Sequence, residues 1–268
     1  MMAFMLKKIM TMLSLGLSLI SCASQQTIHP IVMSDNTKEK INQIINSEIK
    51  PNQSLSQGDL LSRISAKFLE TPYLANTLIG DREQQEVLVV NFEGVDCFTY
   101  LDYVLALSQS EDESSFLSEL AKVRYKNAEV NYFHRKHFFT DWFAEYPKNA
   151  VDVTSTLTLN TITINKKLNR KSDGNEYIKG LGVIPRKITY IPGSLITQSV
   201  VNNLQEGDFV GVYTPIDGLD VSHTGLVIKK NGEVFYRNAS SLSKNKKVVD
   251  TPFIEYMRLK PGIIVLRQ

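Results

Sequence analysis

A chain of 268 residues with 30 lysines and arginines against 28 aspartates and glutamates carries a formal net charge of +2. That near balance, with no basic stripe, excludes a surface that tracks nucleic-acid phosphates. With 43% hydrophobic and 22% charged residues, and no internal repeat, the composition is that of a globular domain with a sizeable core.

The chain opens with Lys7 and Lys8, followed by an apolar run from Ile9 to Ile20 that is short for a membrane span. It ends in Leu19-Ile-Ser-Cys22, which resembles the lipobox of bacterial lipoproteins, where the cysteine is lipidated and becomes the first mature residue. Residues 1–21 are therefore expected to be a lipoprotein signal peptide. Residues 22–35, polar and carrying Pro30, are the expected tether, and 36–268 a single domain. The alternative is an ordinary secretory signal cleaved near Cys22. Either leader exports the chain, and lipidation would place it on the periplasmic face of a membrane, held by its lipid alone. Without Lys7 and Lys8 the exported chain is near neutral. Only two cysteines exist, so a lipidated Cys22 leaves Cys97 unpaired in an oxidising compartment, which marks it as a reactive thiol.

Helical spacing of Ile41, Ile44, Ile45 and Ile49 predicts a helix from Asn36, ended by Pro51. Leu60, Leu61, Ile64 and Phe68 predict a second, from Ser56 to Leu69, stopped by Pro72. Val87 to Asn91 reads as a short strand. After Gly94 comes Cys97, leading an apolar segment to Leu107 in which only Thr99 and Asp102 are polar. That pattern predicts a buried helix with Cys97 in its first turn, where unpaired N–H groups and the helix dipole favour thiolate. The competing reading of Cys97 is a small core residue. Ser114 to Val123 is a further helix.

Arg124 to Tyr146 is dense in aromatics and cations and holds the single tryptophan, Trp142. It reads either as core with snorkelling basic tips or as a wall offering flat faces and charge to a polar ligand. His134, His137 and Asp141 have a spacing that only weakly suggests a metal site, and no metal or cofactor is expected. Thr154 to Asn165 alternates threonine with leucine and isoleucine and reads as strand, broken near Asn160. Lys166 to Asn175 reads as a polar loop.

The last third is β-rich, with strands expected at 188–191, 208–214, 224–230, 233–237 and 263–266. Helices first and an antiparallel sheet afterwards give an α+β class. Asn231-Gly232 is the strongest hairpin signal. A two-residue turn there pairs Lys230 with Glu233, sets Gly225 opposite Asn238, and makes His223 and Asn238 diagonal neighbours on one face. A three-residue loop would send Asn238 to the other face. The amide of Asn238 can fix the tautomer of the His223 ring. Cys97, His223 and Asn238 then supply thiol, base and orienter, the parts of an activated nucleophile for amide hydrolysis through an acyl-enzyme.

Val95-Asp-Cys97 at a helix start, Asp217-Gly-Leu-Asp-Val-Ser-His-Thr-Gly225 opening a strand, and a polar residue on the next strand resemble the NlpC-type papain-like cysteine peptidases of bacterial cell walls. Thr71-Pro-Tyr73, Arg135-Lys-His-Phe-Phe-Thr-Asp-Trp142, Ile188-Thr-Tyr-Ile-Pro-Gly193, Leu204-Gln-Glu-Gly-Asp208 and Gly262-Ile-Ile-Val-Leu-Arg267 make the N-acetylmuramoyl-L-alanine amidase-like family the nearest resemblance. It implies a helical lobe carrying the cysteine packed on an antiparallel sheet carrying the histidine. It also implies a peptidoglycan or muropeptide substrate, and amidase activity or, as the alternative, stem-peptide endopeptidase activity at a γ-D-glutamyl bond. A non-catalytic envelope lipoprotein that binds wall fragments is the third reading. Tyr73 matches a tyrosine beside the nucleophile, a substrate or oxyanion contact, and Arg135, His137, Asp141 and Trp142 are expected to face substrate. One departure is plain: the family usually has histidine before Ala-Ser-Ser, and this chain has Asn238-Ala-Ser-Ser241. Mass spectrometry of the mature N-terminus should find it at a lipid-modified Cys22; an unmodified or displaced terminus removes the anchor.

Overall fold

The computed structural model describes residues 29–268, so the expected signal peptide and Cys22 lie outside the described residues. Strand β1 (Ile31–Met33) leads into helix α1 (Asp35–Ile44), where Ser34 Oγ accepts from the Thr37 N–H as N-cap. A π-turn at Ile45–Ile49 and a 3₁₀ turn through Pro51 continue and end it, with all four expected isoleucines buried. Helix α2 (Gln57–Ala66) is capped by Ser56, and strand β2 (Leu88–Val90) is fully buried. Then come α3 (Cys97–Ser108) and α4 (Glu113–Arg124), as the apolar spacing predicts.

The expected tether differs from the structure at its end. Ile31–Met33 pairs in parallel with Leu88–Val90, because three adjacent apolar residues, two of them β-branched, extend readily beside a buried strand.

The middle third forms α5 (Asp141–Ala144), β3 (Val151–Asp152), α6 (Thr154–Leu157) and β4 (Ile162–Leu168). The expected strand from Thr154 is thus helical in its first half. Asp152 Oδ1 accepts from the Thr154 N–H, and Thr154 Oγ1 accepts from the Val265 N–H, which turns the chain there. Likewise Lys166–Leu168 is strand rather than loop. The Lys166 ammonium donates to the carbonyls of Thr214, Ile216 and Leu219, so this polar side chain is anchored across the sheet.

The remainder is β5 (Ile184–Pro192), α7 (Gln198–Asn203), β6 (Phe209–Tyr213), β7 (Val221–Lys230), β8 (Glu233–Ala239), β9 (Val248–Pro252), α8 (Phe253–Met257) and β10 (Gly262–Arg267). Among the described residues these strands make one antiparallel sheet in the order β4-β5-β10-β6-β7-β8-β9, with β3 also pairing β10. The fold is mixed α+β, with the sheet buried on both faces at its centre. Phe209, Leu226, Ile228 and Leu266 pack toward the helical lobe. Val210, Val212, Val227 and Val265 pack toward α7 and α8.

Helix α3 is buried almost all round, from Thr99 to Leu107. Its one buried charge, Asp102, pairs with Arg124 Nε at 2.8 Å, and Arg124 also donates to the Val89 carbonyl at 2.7 Å. Breaking such a pair by removing one partner costs about 3–5 kcal/mol, since the other charge stays behind in the interior.

Trp142 lies in this same core. It is 0% exposed, stacked on Phe98 at 5.9 Å and edge-on to Phe209 at 4.9 Å. Removing so large a buried ring should cost about 3–5 kcal/mol. Urea denaturation of Trp142→Ala is expected to show that loss; a wild-type midpoint would count against the core placement.

Candidate active site

Asn231 and Gly232 both have positive φ, 53° and 81°. That is the mirror-image turn whose twist matches the flanking strands, and asparagine followed by glycine tolerates it best. The turn fixes the register expected from sequence, from Lys230↔Glu233 to Leu226↔Arg237. Diagonally beyond that pairing, His223 Nε2 meets Asn238 Oδ1 at 2.9 Å. The Asn238 amide nitrogen donates to the Tyr236 carbonyl at 3.0 Å and to Thr251 Oγ1 at 3.3 Å. With its donors directed to two acceptors, Asn238 presents oxygen to the ring, so His223 must donate from Nε2. The neutral imidazole then keeps its lone pair on Nδ1, the nitrogen able to take a proton.

Cys97 is half-buried at the start of α3. Asp96 caps the helix: its Oδ1 accepts from the N–H groups of Phe98 and Thr99, and the Thr99 hydroxyl accepts from the Asp96 N–H. Such a cap satisfies the second and third amides of the helix and leaves the first, that of Cys97, unclaimed by the carboxylate. Thr224, one residue after His223, donates its hydroxyl to the Cys97 carbonyl at 2.8 Å. That contact binds the helix start to the strand that carries the histidine.

The electrostatics differ from the expectation of a thiolate. Burial first, and the Asp96 carboxylate second, push the Cys97 thiol up to about 11, while hydrogen bonds from Thr224 pull the other way. Burial lowers His223 below the usual imidazole value; the bond to Asn238 opposes this and the Lys260 ammonium adds to it. At neutral pH the site therefore rests as thiol and neutral imidazole. Tyr73 stands nearby, joined by a bridge to Val95. Burial, then the Cys97 and Asp96 charges, raise its phenol above the ordinary value.

The other expected site residues are placed elsewhere. Arg135 holds Glu86 through two bonds of 2.7 Å, and Glu86 also accepts from the Tyr125 hydroxyl. Asp141 is 1% exposed and paired with Arg186 at 2.8 Å. The Nε2 of His137 lies 2.8 Å from the Tyr132 carbonyl. Trp142 has no exposed face on which a pyranose ring could stack. The reading of these four residues as a substrate wall is corrected for Asp141 and Trp142, which burial removes from the surface, while Arg135 and His137 are engaged with the protein itself. Among the described residues, no group of three His, Cys, Asp or Glu is placed to hold a metal, and His134 faces Glu129 instead.

Two supporting residues escaped the sequence reading. Tyr236 is fully buried, donates its hydroxyl to the Val210 carbonyl at 3.2 Å and sets its ring edge-on to His223 at 6.0 Å. Gly225 makes room for it, since a Cβ there would sit 2.6 Å from that ring. The signal available was parity: Tyr236 lies two residues before Asn238 and so shares its face.

The AmiA-like, N-acetylmuramoyl-L-alanine amidase-like family model matches residues 63–263. This chain belongs to that family. No curated protein matches the chain. A crystal structure of an N-acetylmuramoyl-L-alanine amidase from Bacteroides uniformis is similar at 27% identity, covering 79% of this chain and 98% of that one, with a TM-score of 0.66. A Legionella pneumophila protein shares the fold at 24% identity and a TM-score of 0.73, over 87% of this chain and 94% of that one.

The resting thiol of this family member has a measurable signature. Iodoacetamide labelling of Cys97 should accelerate by roughly tenfold per pH unit between pH 7 and 10, as the thiolate fraction grows. A rate flat from pH 5 to 8 would reveal a preformed thiolate–imidazolium pair instead.

Proposed function

We propose that this protein is a cysteine-dependent amide hydrolase of peptidoglycan, an N-acetylmuramoyl-L-alanine amidase of the NlpC-type papain-like superfamily. Cys97 is its nucleophile, His223 its base and Asn238 the orienter of that base. The observation that carries the reading is the 2.9 Å bond between His223 and Asn238, because it leaves Nδ1 as the proton acceptor on a strand tied to Cys97 through Thr224.

Chemistry follows from that tautomer. With the thiol resting protonated, Nδ1 takes its proton as the sulfur attacks the amide carbonyl, so a free thiolate need not accumulate. The Cys97 N–H and the Tyr73 hydroxyl are the donors offered to the developing oxyanion. Collapse of the tetrahedral adduct expels the amine, which receives the proton from Nδ1. A water, deprotonated by the same nitrogen, then releases the acyl group from sulfur. The departure from the family's usual histidine at position 238 is compatible with this role, since an amide oxygen accepts the same ring N–H.

The bond assigned is the one between the muramic acid lactyl group and L-alanine, and family membership supplies that preference. The burial of Trp142 withdraws the independent support that a sugar-stacking surface would have lent. Attachment through a lipidated Cys22 would put the enzyme on the periplasmic face of a membrane, within reach of the wall.

Defined muropeptides and product masses test the proposal. Free stem peptide beginning with L-alanine is expected. An L-alanyl-glutamate dipeptide, free or still on the sugar, would instead establish the endopeptidase reading, and no turnover of either kind would leave a binding protein. Cys97→Ala should abolish hydrolysis with the fold intact, and His223→Ala should cost ~10²–10⁴-fold in kcat. Asn238→Ala should cost less, because it acts through the ring. A loss below tenfold at His223 would remove it from the mechanism.

A further inference from the structure

The side of the site beyond His223 is built from rings that end in a cation. Tyr236 sets its ring edge-on to His223 at 6.0 Å, and Tyr256 stacks on Tyr236 at 5.9 Å with 21° between planes. The Lys260 ammonium lies 4.1 Å above the Tyr256 ring. Lys260 is half-buried and makes no ion pair among the described residues. By contrast Arg124, Arg135, Arg186, Arg237 and Arg267 each hold a carboxylate within 2.8 Å. An aromatic face stabilises a cation yet leaves its outer donors open to an arriving anion.

Direction follows from the reaction. The imidazole returns its proton to the amine, so the departing fragment must pass on the His223 side of the scissile bond. Among the described residues, the cation joined to His223 through Tyr236 and Tyr256 is Lys260. We infer that Lys260 is a specificity residue of this site, its ammonium receiving a carboxylate of the leaving peptide close to the new amine. This rests on the reading of Cys97 and His223 as nucleophile and base. A peptide carrying an acidic side chain or free α-carboxylate one or two residues past the cleaved amide is the substrate class that fits.

The arrangement also couples binding to chemistry. An uncompensated Lys260 opposes protonation of His223. A substrate carboxylate seated on it cancels that repulsion, so the imidazole accepts a proton more readily once the right substrate is bound. Lys246, whose ammonium lies 5.3 Å from the Tyr73 ring centroid, is the competing cation, but it stands on the Tyr73 side of the nucleophile.

Charge-selective alkylation of the full chain tests this without any knowledge of the substrate. Cys97 is labelled with anionic iodoacetate and with neutral iodoacetamide at pH 8, and the Cys97 peptide is quantified by mass. Relative to a free cysteine derivative, the wild-type iodoacetate/iodoacetamide rate ratio should be raised roughly threefold to fivefold, the scale of a part-exposed ion pair. Lys260→Met should return the ratio to the free-thiol value; Lys260→Arg and Lys246→Met should keep it. In the wild-type protein alone, the preference should fade as ionic strength rises. A wild-type ratio no higher than that of the free thiol overturns the inference and leaves the nucleophile intact. Loss of the preference in Lys246→Met rather than Lys260→Met overturns it as well. Failure of both reagents to modify Cys97 would bring down the nucleophile reading and this inference with it. On muramoyl peptides, the acidic form should be favoured over its amidated counterpart in kcat/KM, and Lys260→Met should erase that difference.

Discussion

The hydrogen bond from Thr224 Oγ1 to the Cys97 carbonyl, 2.8 Å long, ties the start of the helix that carries Cys97 to the strand that carries His223. Neighbouring residues on a strand point to opposite faces, so Thr224 turns toward α3 while His223 turns toward the Tyr236 side. One strand therefore grips the helix with one residue and holds the imidazole with the next. Neither half has meaning alone. The helix must begin at Cys97, which the Asp96–Thr99 cap ensures, and its body must not slide, which Asp102, Arg124 and the Val89 carbonyl prevent.

How much of this was legible depended on how local its cause was. The hairpin register followed from two residues, because Asn231-Gly232 admits one turn type and every later pairing inherits it. Helix α3 followed from a cap and an apolar run. The segment from Arg124 to Tyr146 was not legible, since its side chains are decided by distant partners. Trp142 is buried by Phe98 and Phe209, and Arg135 is claimed by Glu86, all far away in sequence. Aromatics mixed with cations look alike whether they line a cleft or fill a core, until the partners are known. The expectation of a thiolate meets an opposing cause of a related kind: burial pushes the Cys97 thiol up. Position at a helix start is visible in sequence, but burial, which here outweighs it, is not.

The buried ion pairs show what those distant partners accomplish. Glu86 gathers Tyr125 and Arg135, Asp141 holds Arg186, and Arg237 joins Asp250 to the Ser62 carbonyl of α2. Each links a helix or turn to a segment remote in the chain. Such pairs add little net stability over apolar packing, but a misplaced partner leaves a buried charge uncompensated, which penalises other arrangements of the same elements.

The Asn231-Gly232 tip has a bearing on how the chain tolerates change in length. Gly232 has open space around it, and exposed tips of this kind are the usual places where insertions and tags are accepted. Here the tip acts as a spacer in a ruler. One added residue must either bulge out locally or slide β8 by a single position, and sliding turns Asn238 to the opposite face, away from His223. Two added residues restore the face but shift the amide along the strand. The meeting of His223 with Asn238 is thus encoded in a count of residues at a point exposed to water and far along the hairpin from that pair, so a length change there can part the two while both keep their identity.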